Sequence, residues 1–179
     1  MRIVSGKYKG RRITAPKSIP ARPTTDFAKE ALFNILNNQF YFSDLEVIDL
    51  FTGIGSISLE FASRGAKTIL AVDSHPASCL FIKDTASKLE APIQVIQSDV
   101  FDFLNKTPIT SNLIFADPPY NFEVEDLEQI TKLVKERKLL KEEGVLIIEH
   151  SKHTELDSLD GFKEKRKYGS SSFSFFEFN

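Results

Sequence analysis

The tetrapeptide Asp117-Pro118-Pro119-Tyr120 contains the residues best suited to chemistry in this chain. It directly follows the apolar run 113–116, so we predict a rigid loop at the end of a buried strand. Each proline lacks an N–H, which leaves carbonyl oxygens free to accept hydrogen bonds. Asp117 and the Pro118 carbonyl could accept the N–H groups of an exocyclic amine, while Tyr120 stacks on the ring that bears it. An Asp-Pro turn without a ligand explains the four residues equally well, so other parts of the chain must decide.

A turn containing two glycines follows the first predicted strand, in the segment Asp49-Leu50-Phe51-Thr52-Gly53-Ile54-Gly55-Ser56. Glycines spaced by one residue let the backbone approach a ligand closely where a strand leads into a helix. A dinucleotide fingerprint would need a third glycine where this chain has Ser58, and a phosphate-binding loop would need a lysine that the segment lacks. The turn therefore favours a nucleoside-like ligand without a pyrophosphate.

An acidic residue ends each of five apolar runs: Asp49, Asp73, Asp99, Asp117 and Glu149. The carboxyl ends of parallel strands share one edge of a sheet, where open α/β sheets bind their ligands. Helix capping by Asp accounts for one or two of these acids, but less well for the series. Asp73 is placed to bind ribose hydroxyls, and Asp99 with Val100 is placed to hold an adenine. These features predict an S-adenosylmethionine pocket formed by Asp49, Phe51, Thr52, Gly53, Gly55, Asp73, Ser74, Asp99 and Val100.

The periodicity of the chain predicts the elements that position these side chains. Apolar, β-branched runs lie at 47–48, 68–72, 93–96, 113–116 and 145–148. Helical patterns lie at 27–36, with Thr25 or Asp26 as the cap, and at 57–64, 76–89 and 127–140. This alternation indicates an α/β fold with a seven-stranded, mostly parallel sheet, in which 162–168 and 172–178 pair as a C-terminal antiparallel hairpin. Segment 2–13 is predicted to form an additional N-terminal β-hairpin.

The composition, with 41% hydrophobic and 27% charged residues, is that of a soluble globular protein. The length of 179 residues predicts one domain. The only cysteine, Cys79, excludes an internal disulfide and fits a reducing compartment. No apolar stretch approaches the roughly 20 residues that span a bilayer, so a cytoplasmic protein is expected. The three histidines lack metal-ligand spacing, and we expect no metal site.

The net charge of −2 conceals a basic N-terminal segment. Residues 1–25 contain seven basic and no acidic side chains, which leaves 16 basic and 25 acidic residues, a net charge of −9, in the rest of the chain. A basic segment on an acidic body indicates binding to a polyanion, although a solvated hairpin is the alternative. We therefore divide the single domain into a basic arm (1–25) and a catalytic core (26–179). The residues predicted to contact the polyanion are Arg2, Lys7, Lys9, Arg11, Arg12, Arg22 and Thr24.

Several blocks of the sequence resemble the bacterial small-subunit (16S) rRNA (guanine-N2)-methyltransferases over nearly the whole chain. The blocks are 2–12, 22–25, 29–36, 49–55 and 63–66, together with the Asp-Pro-Pro-Tyr motif at 117–120. The resemblance implies a Rossmann-like class I methyltransferase fold, S-adenosylmethionine as cofactor, and 16S rRNA or a small-subunit assembly particle as partner. It also implies a catalytic role for Asp117, Pro118, Pro119 and Tyr120. A monomer is expected.

Three positions depart from the family's pattern. Ser58 occupies a position where glycine is frequent, Asp73 one where glutamate is usual, and Ser170 one where an acid is common. The first two changes are expected to be tolerated. Ser170 removes the acid that commonly follows Tyr168-Gly169, so the role of this C-terminal segment is not predicted.

Two other functions remain open at this stage. A DNA adenine-N6 methyltransferase would share the glycine turn and the Asp-Pro-Pro-Tyr motif, but such enzymes usually carry a further target-recognition domain. A non-catalytic RNA-binding protein on the same fold would be expected to have lost Asp117 or the glycines. Binding of S-adenosylmethionine, measured by thermal shift, would distinguish this second alternative.

Overall fold

The structure is a computed structural model that describes residues 1–19 and 24–178. In this part of the chain, a seven-stranded sheet has the order β3-β2-β1-β4-β5-β7-β6. The strands are β1 (Glu46–Leu50), β2 (Thr68–Asp73), β3 (Ile93–Gln97), β4 (Ser111–Ala116), β5 (Leu140–Ser151), β6 (Phe162–Tyr168) and β7 (Ser171–Phe176). The first five strands are parallel, and β6 and β7 pair antiparallel with each other and with β5. The fold class predicted from the sequence is confirmed.

Five α-helices connect the strands of the described residues. They are α1 (Asp26–Leu36), α2 (Ser56–Ser63), α3 (Pro76–Leu89), α4 (Val100–Lys106) and α5 (Val124–Glu136), with a short 3-10 helix at Phe42–Asp44. As predicted, Thr25 caps α1, and its hydroxyl accepts the Ala28 N–H at 3.2 Å. The predicted helix 127–140 was misplaced, because α5 ends at Glu136 and Leu140 begins β5.

Alternate residues of the central strands face opposite sides of the sheet, which gives two core layers. Val47, Phe115 and Ile147 pack in one layer with α1 and α2. Ile48, Ile114 and their neighbours on β5 pack in the other layer with α4 and α5. The two-residue period of the strands therefore also fixes the face on which each terminal acid lies.

The N-terminal segment packs against α2. Ile3 and Tyr8 are buried, and the N–H groups of Val4 and Ser5 donate to the Glu60 carboxylate at 2.9 and 3.0 Å. At Gly6 the backbones come so close that an added Cβ would lie 1.9 Å from the Ser63 carbonyl oxygen. Only an isolated antiparallel bridge between Arg2 and Arg12 is present, so the predicted N-terminal hairpin is a docked loop with one bridge.

None of the helices described is both long enough and apolar enough to cross a membrane.

Candidate functional site

The strand register places acids on the α1–α2 face at the carboxyl edge of the sheet. Phe115 of β4 pairs with Asp49 of β1 on one side and Ile147 of β5 on the other. Two residues further along, Asp117 and Glu149 follow Phe115 and Ile147 on the same face. Asp73 ends β2 on this face as well, because it continues the alternation of Ile69 and Ala71. The acids that follow these four strands therefore lie along one edge, as the sequence predicted.

A cavity of about 350 Å³ opens at this edge, within the range of about 300–1,000 Å³ typical of small-molecule sites. Its walls come from the ends of four strands, the start of α2, the segment before α1 and the turn between β6 and β7. The lining residues are Thr24, Thr25, Asp49, Phe51, Thr52, Gly53, Ile54, Ser56, Ile57, Asp73, Ser74, His75, Ser78, Phe115, Asp117, Pro118, Pro119, Tyr120, Glu149, Ser170 and Ser171.

Asp49 holds the glycine turn in place. Its buried carboxylate accepts hydrogen bonds from the Thr52 hydroxyl at 2.9 Å and from the Ser58 N–H at 3.0 Å, and the Ser58 hydroxyl donates to the same oxygen. Burial raises the pKa of Asp49 to about 6, although these hydrogen bonds oppose the shift. Ser58, which departs from the usual glycine, therefore ties the first turn of α2 to the end of β1.

The turn itself uses left-handed backbone conformations. The φ angle is 55° at Gly53 and 77° at Gly55, and it is 58° at Phe51. Such a value is rare for a bulky residue and marks local strain. Asp73 stabilises the turn, because its carboxylate accepts the Gly53 N–H at 2.8 Å and the His75 N–H at 2.8 Å.

The Asp117 carboxylate faces the cavity, and no described residue donates a hydrogen bond to it. Within the described residues no hydrogen bond contributes to its pKa, which is raised well above its usual value by burial, then by the negative charges of Glu149 and Asp49. Pro118, Pro119 and Tyr120 line the cavity beside it, and Tyr120 is 79% exposed. An acceptor and an exposed ring therefore lie at the mouth of the cavity.

Glu149 is the second acid beside Asp117, and it is buried. The Thr24 hydroxyl donates to its Oε2 at 2.7 Å. Burial raises the pKa of Glu149, and hydrogen bonds from Thr24 and Ser171 oppose the shift. The segment before α1 and the C-terminal hairpin thus meet at this carboxylate.

Most of the predicted site residues line the cavity, and three do not. Asp99 caps α4 by accepting the Asp102 N–H at 3.0 Å, Val100 is buried as the first residue of that helix, and Gly55 lies behind the lining residues as the N-cap of α2. The predicted adenine contacts of Asp99 and Val100 stay a prediction. Phe122, two residues after Tyr120, packs against Phe51 and Phe101.

Several lining residues were not assigned to the site from the sequence. Glu149 was recognised only as an acid at a strand end, and Ser170 only as a departure from the family pattern. The others are Thr25, Ile54, Ser56, Ile57, His75, Ser78, Phe115 and Ser171. Asp117 and Glu149 each lie two residues after a paired residue, Phe115 and Ile147. Because side chains alternate along a strand, this spacing could have identified Glu149 as a neighbour of Asp117.

The predicted RNA-contacting cations lie on and beside the docked N-terminal loop. Lys7, Lys9, Arg11 and Arg12 are exposed, and Lys7 and Arg11 approach the ring of Tyr8 at 5.3 and 6.0 Å. Arg2 already has an acidic partner within the protein, because its Nε pairs with the Asp26 carboxylate at 3.1 Å. Arg22 lies outside the described residues, whereas Thr24 lines the cavity.

Among residues 1–19 and 24–178, no group of three or more His, Cys, Asp or Glu side chains is arranged to hold a metal ion.

Comparison with known proteins identifies the family. A family model described as conserved hypothetical protein 95 matches residues 1–177. The Bacillus subtilis protein YlbH is 33% identical over 177 residues, which cover 94% of each chain. The Escherichia coli protein named ribosomal RNA small subunit methyltransferase D is 32% identical over 151 residues, or 83% of this chain and 74% of that protein. A solved structure of a Thermus thermophilus hypothetical protein superposes with a TM-score of 0.84 and 26% identity, covering 99% of both chains.

The resemblance to small-subunit rRNA methyltransferases that the sequence indicated is thus confirmed, and the chain belongs to the family described as conserved hypothetical protein 95.

Proposed function

We propose that this protein transfers the methyl group of S-adenosylmethionine to the exocyclic N2 amine of a guanine in 16S rRNA. The Asp117 carboxylate carries the proposal, because it faces the cavity with no donor among residues 1–19 and 24–178, beside the Pro118 carbonyl and the Tyr120 ring. A carboxylate in this position can accept an N–H group from a ligand in the cavity. The Escherichia coli relative, named for methylation of small-subunit ribosomal RNA, supports rRNA as the substrate.

The cavity fits S-adenosylmethionine on the chemistry of its lining. Asp73 accepts two backbone N–H groups, yet each carboxylate oxygen has a second lone pair for a ribose hydroxyl. Gly53, Phe51, Thr52 and Ser74 line the same cavity as Asp73 and would contact the nucleoside. Among the described residues, no lysine or arginine lines the cavity, which fits a ligand that carries a positive charge and no phosphate.

The residues of the Asp-Pro-Pro-Tyr loop perform the remaining chemistry. When bound, S-adenosylmethionine supplies an electrophilic methyl group. Asp117 and the Pro118 carbonyl accept the amine protons, which draws electron density onto the nitrogen and orients its lone pair. Asp117 need not be a strong base, because the amine becomes acidic only as the methyl group arrives. Holding the reactants in this orientation lowers the activation free energy by roughly 7–11 kcal/mol relative to the bimolecular reaction.

An exposed aromatic ring at the mouth suits an unpaired or flipped base. Tyr120 lines the cavity and is 79% exposed. Phe27, two residues after the lining residue Thr25, is 68% exposed and meets Tyr168 edge to face, with ring centroids 6.2 Å apart. Sequence-specific RNA recognition uses such rings to stack on splayed bases. A duplex DNA target would need a protein surface that reads the groove, which makes an adenine-N6 DNA enzyme the weaker alternative.

Mass-spectrometric mapping of 16S rRNA tests the proposal. Ribosomes from a strain lacking this protein should lose one N2-methylguanosine, which purified protein and S-adenosylmethionine should restore. An unchanged modification pattern in that strain would refute the proposed function.

Substituting Asp73 should weaken cofactor binding. Asp73→Ala removes the ribose acceptor, so we expect a loss of about 1–3 kcal/mol in the affinity for S-adenosylmethionine, measured by titration calorimetry. Asp102→Ala, on the exposed surface of α4, is the control. Equal affinities in both variants would remove Asp73 from the cofactor site, and Asp99→Ala measured alongside tests the adenine contact.

Removing the charges of the docked loop should reduce the salt dependence of RNA binding. We expect glutamine substitutions at Lys7, Lys9, Arg11 and Arg12 to lower the log–log salt slope by about 0.7 for each lost phosphate contact, or roughly 2 for three contacts. These side chains are exposed, so the substitutions keep the packing that a deletion of Ile3 and Tyr8 would destroy. The matched control carries glutamine at Lys83, Lys88, Lys132 and Lys138. An equal slope for both variants would show that the loop makes no phosphate contacts.

The rate of methyl transfer should rise with pH through the raised pKa of Asp117. Only the ionised carboxylate is a full acceptor, so its raised pKa places the rising limb above the usual carboxyl range. Glu149→Gln removes one of the like charges that raise this pKa, and we expect the limb to move to lower pH in single-turnover profiles. A limb that stays in place would show that Glu149 does not influence the ionisation of Asp117.

A further inference from the structure

Glu149 lies where it could contact the target base as well as the protein. Its Oε2 accepts the Thr24 hydroxyl at 2.7 Å, and the side chain lines the same cavity as Asp117. Asp117 and Glu149 end adjacent strands on the same face, because Phe115 and Ile147 pair two residues earlier. An ionised carboxylate offers about four acceptor positions, so the hydrogen bonds from Thr24 and Ser171 still leave Glu149 with free lone pairs beside the amine acceptor.

The edge of guanine presents a pattern that two neighbouring acceptors can read. Its N2 amine and its N1–H are adjacent donors, so one acceptor at each position pairs with both. Adenine presents its N6 amine beside N1, which carries no hydrogen and is an acceptor. A carboxylate opposite that N1 would face a second acceptor, and neither group would be satisfied.

We propose that Glu149 accepts the N1–H of the target guanine and thereby selects guanine over adenine, an inference that rests on the proposed function. Asp117 and the Pro118 carbonyl hold the amine that reacts, while Glu149 holds the adjacent ring position. Thr24 donates to Glu149 from the segment before α1 and orients the carboxylate. Glu149 is a specificity residue in this arrangement, since it contacts the base but not the reacting nitrogen.

The base 2-aminopurine tests this contact, because it keeps the reactive N2 amine but has no hydrogen on N1. It also lacks O6, so the response of Glu149→Gln, and not the wild-type preference alone, identifies the N1 contact. We would compare synthetic rRNA fragments that carry guanine or 2-aminopurine at the position mapped as methylated. Wild-type protein should prefer guanine by at least about 100-fold in kcat/KM, the penalty when a buried acceptor has no donor. Glu149→Gln, whose amide can donate to the bare N1, should reduce this preference to about 10-fold or less.

Thr24→Val is the control that separates base reading from a structural role. It removes the hydroxyl that binds Glu149 but keeps the carboxylate. If Glu149 reads N1–H, this variant keeps the preference for guanine even where its turnover falls. If Glu149 only anchors the segment before α1, both variants lose activity on the two RNAs by the same factor, which would overturn the inference.

The failure of the inference is distinguishable from failure of the proposed function. Wild-type protein that methylates both RNAs equally well would refute the role of Glu149 and leave N2 methylation intact. A deletion strain that loses no N2-methylguanosine from its 16S rRNA would refute the proposed function and, with it, the role of Glu149. Titration calorimetry with S-adenosylmethionine on each variant establishes that the cofactor site is intact.

Discussion

Asp117→Asn should reduce the single-turnover rate of methyl transfer by at least about 100-fold, in the range of a lost catalytic acceptor or base. Asparagine keeps the size of the side chain, but its amide cannot match a carboxylate as an acceptor for both the amine and its developing charge. Since Asp117 acts on the target and not on the cofactor, the affinity for S-adenosylmethionine should stay close to that of the wild type. The loss should therefore appear in turnover and not in cofactor binding.

The measurement combines single-turnover kinetics on rRNA with calorimetry of the cofactor. Asp84→Asn provides a matched control, because Asp84 is exposed on α3 and pairs with Lys88 at 2.6 Å. It should retain the wild-type rate. Retention of most activity in Asp117→Asn as well would remove Asp117 from the catalytic role.

The sequence predicts the architecture because the strands have a simple period. Runs such as 113–116 and 145–148 are apolar on both faces, as central parallel strands must be, and the acid that follows each run marks the carboxyl edge. The segment between 168 and 172 is too short for a crossover helix, which correctly predicted the antiparallel pairing of β6 and β7. These features depend on local pattern alone.

The features that the sequence did not reveal depend on contacts between distant residues. α4 was overlooked because Asp99 and Val100 were interpreted as ligand contacts, whereas Asp99 caps a seven-residue helix. The hydrogen bond from Thr24 to Glu149 joins residues 125 positions apart. The sequence around either residue does not predict that the other is its partner. The same holds for the docking of the N-terminal loop on Glu60.

The docked N-terminal loop and the glycine turn at 51–55 are joined through one buried cluster. Glu60 is fully buried and pairs with Lys29 at 3.7 Å and with Arg64 at 2.9 Å, while it also accepts the Val4 and Ser5 N–H groups. Lys29 donates to the Arg2 carbonyl at 2.6 Å and to the Ser56 hydroxyl at 3.4 Å. Ser56 lines the cavity. The docked N-terminal loop is thereby fixed to α2, the helix that follows the glycine turn.

Glu60→Gln should therefore destabilise the protein strongly. The substitution leaves the ammonium of Lys29 buried without its carboxylate, and breaking a buried pair in this way costs about 3–5 kcal/mol. For a domain of this size we expect the melting temperature to fall by roughly 6–20 °C. Hydrogen exchange at the Val4 and Ser5 amides should accelerate most, because these groups lose their acceptor.

Two further variants separate this effect from a general loss of charge. Glu136→Gln breaks an exposed pair with Lys132 and should shift the melting temperature by no more than about 2 °C, since exposed pairs contribute little. The double variant Glu60→Gln with Lys29→Met removes both buried charges and should recover much of the lost stability. If Glu60→Gln melts at the same temperature as Glu136→Gln, the buried cluster does not hold the N-terminal loop to the body. In that case the loop must be held by the burial of Ile3 and Tyr8 together with its hydrogen bonds to Ser63, and the cluster around Glu60 would not couple its cations to the glycine turn.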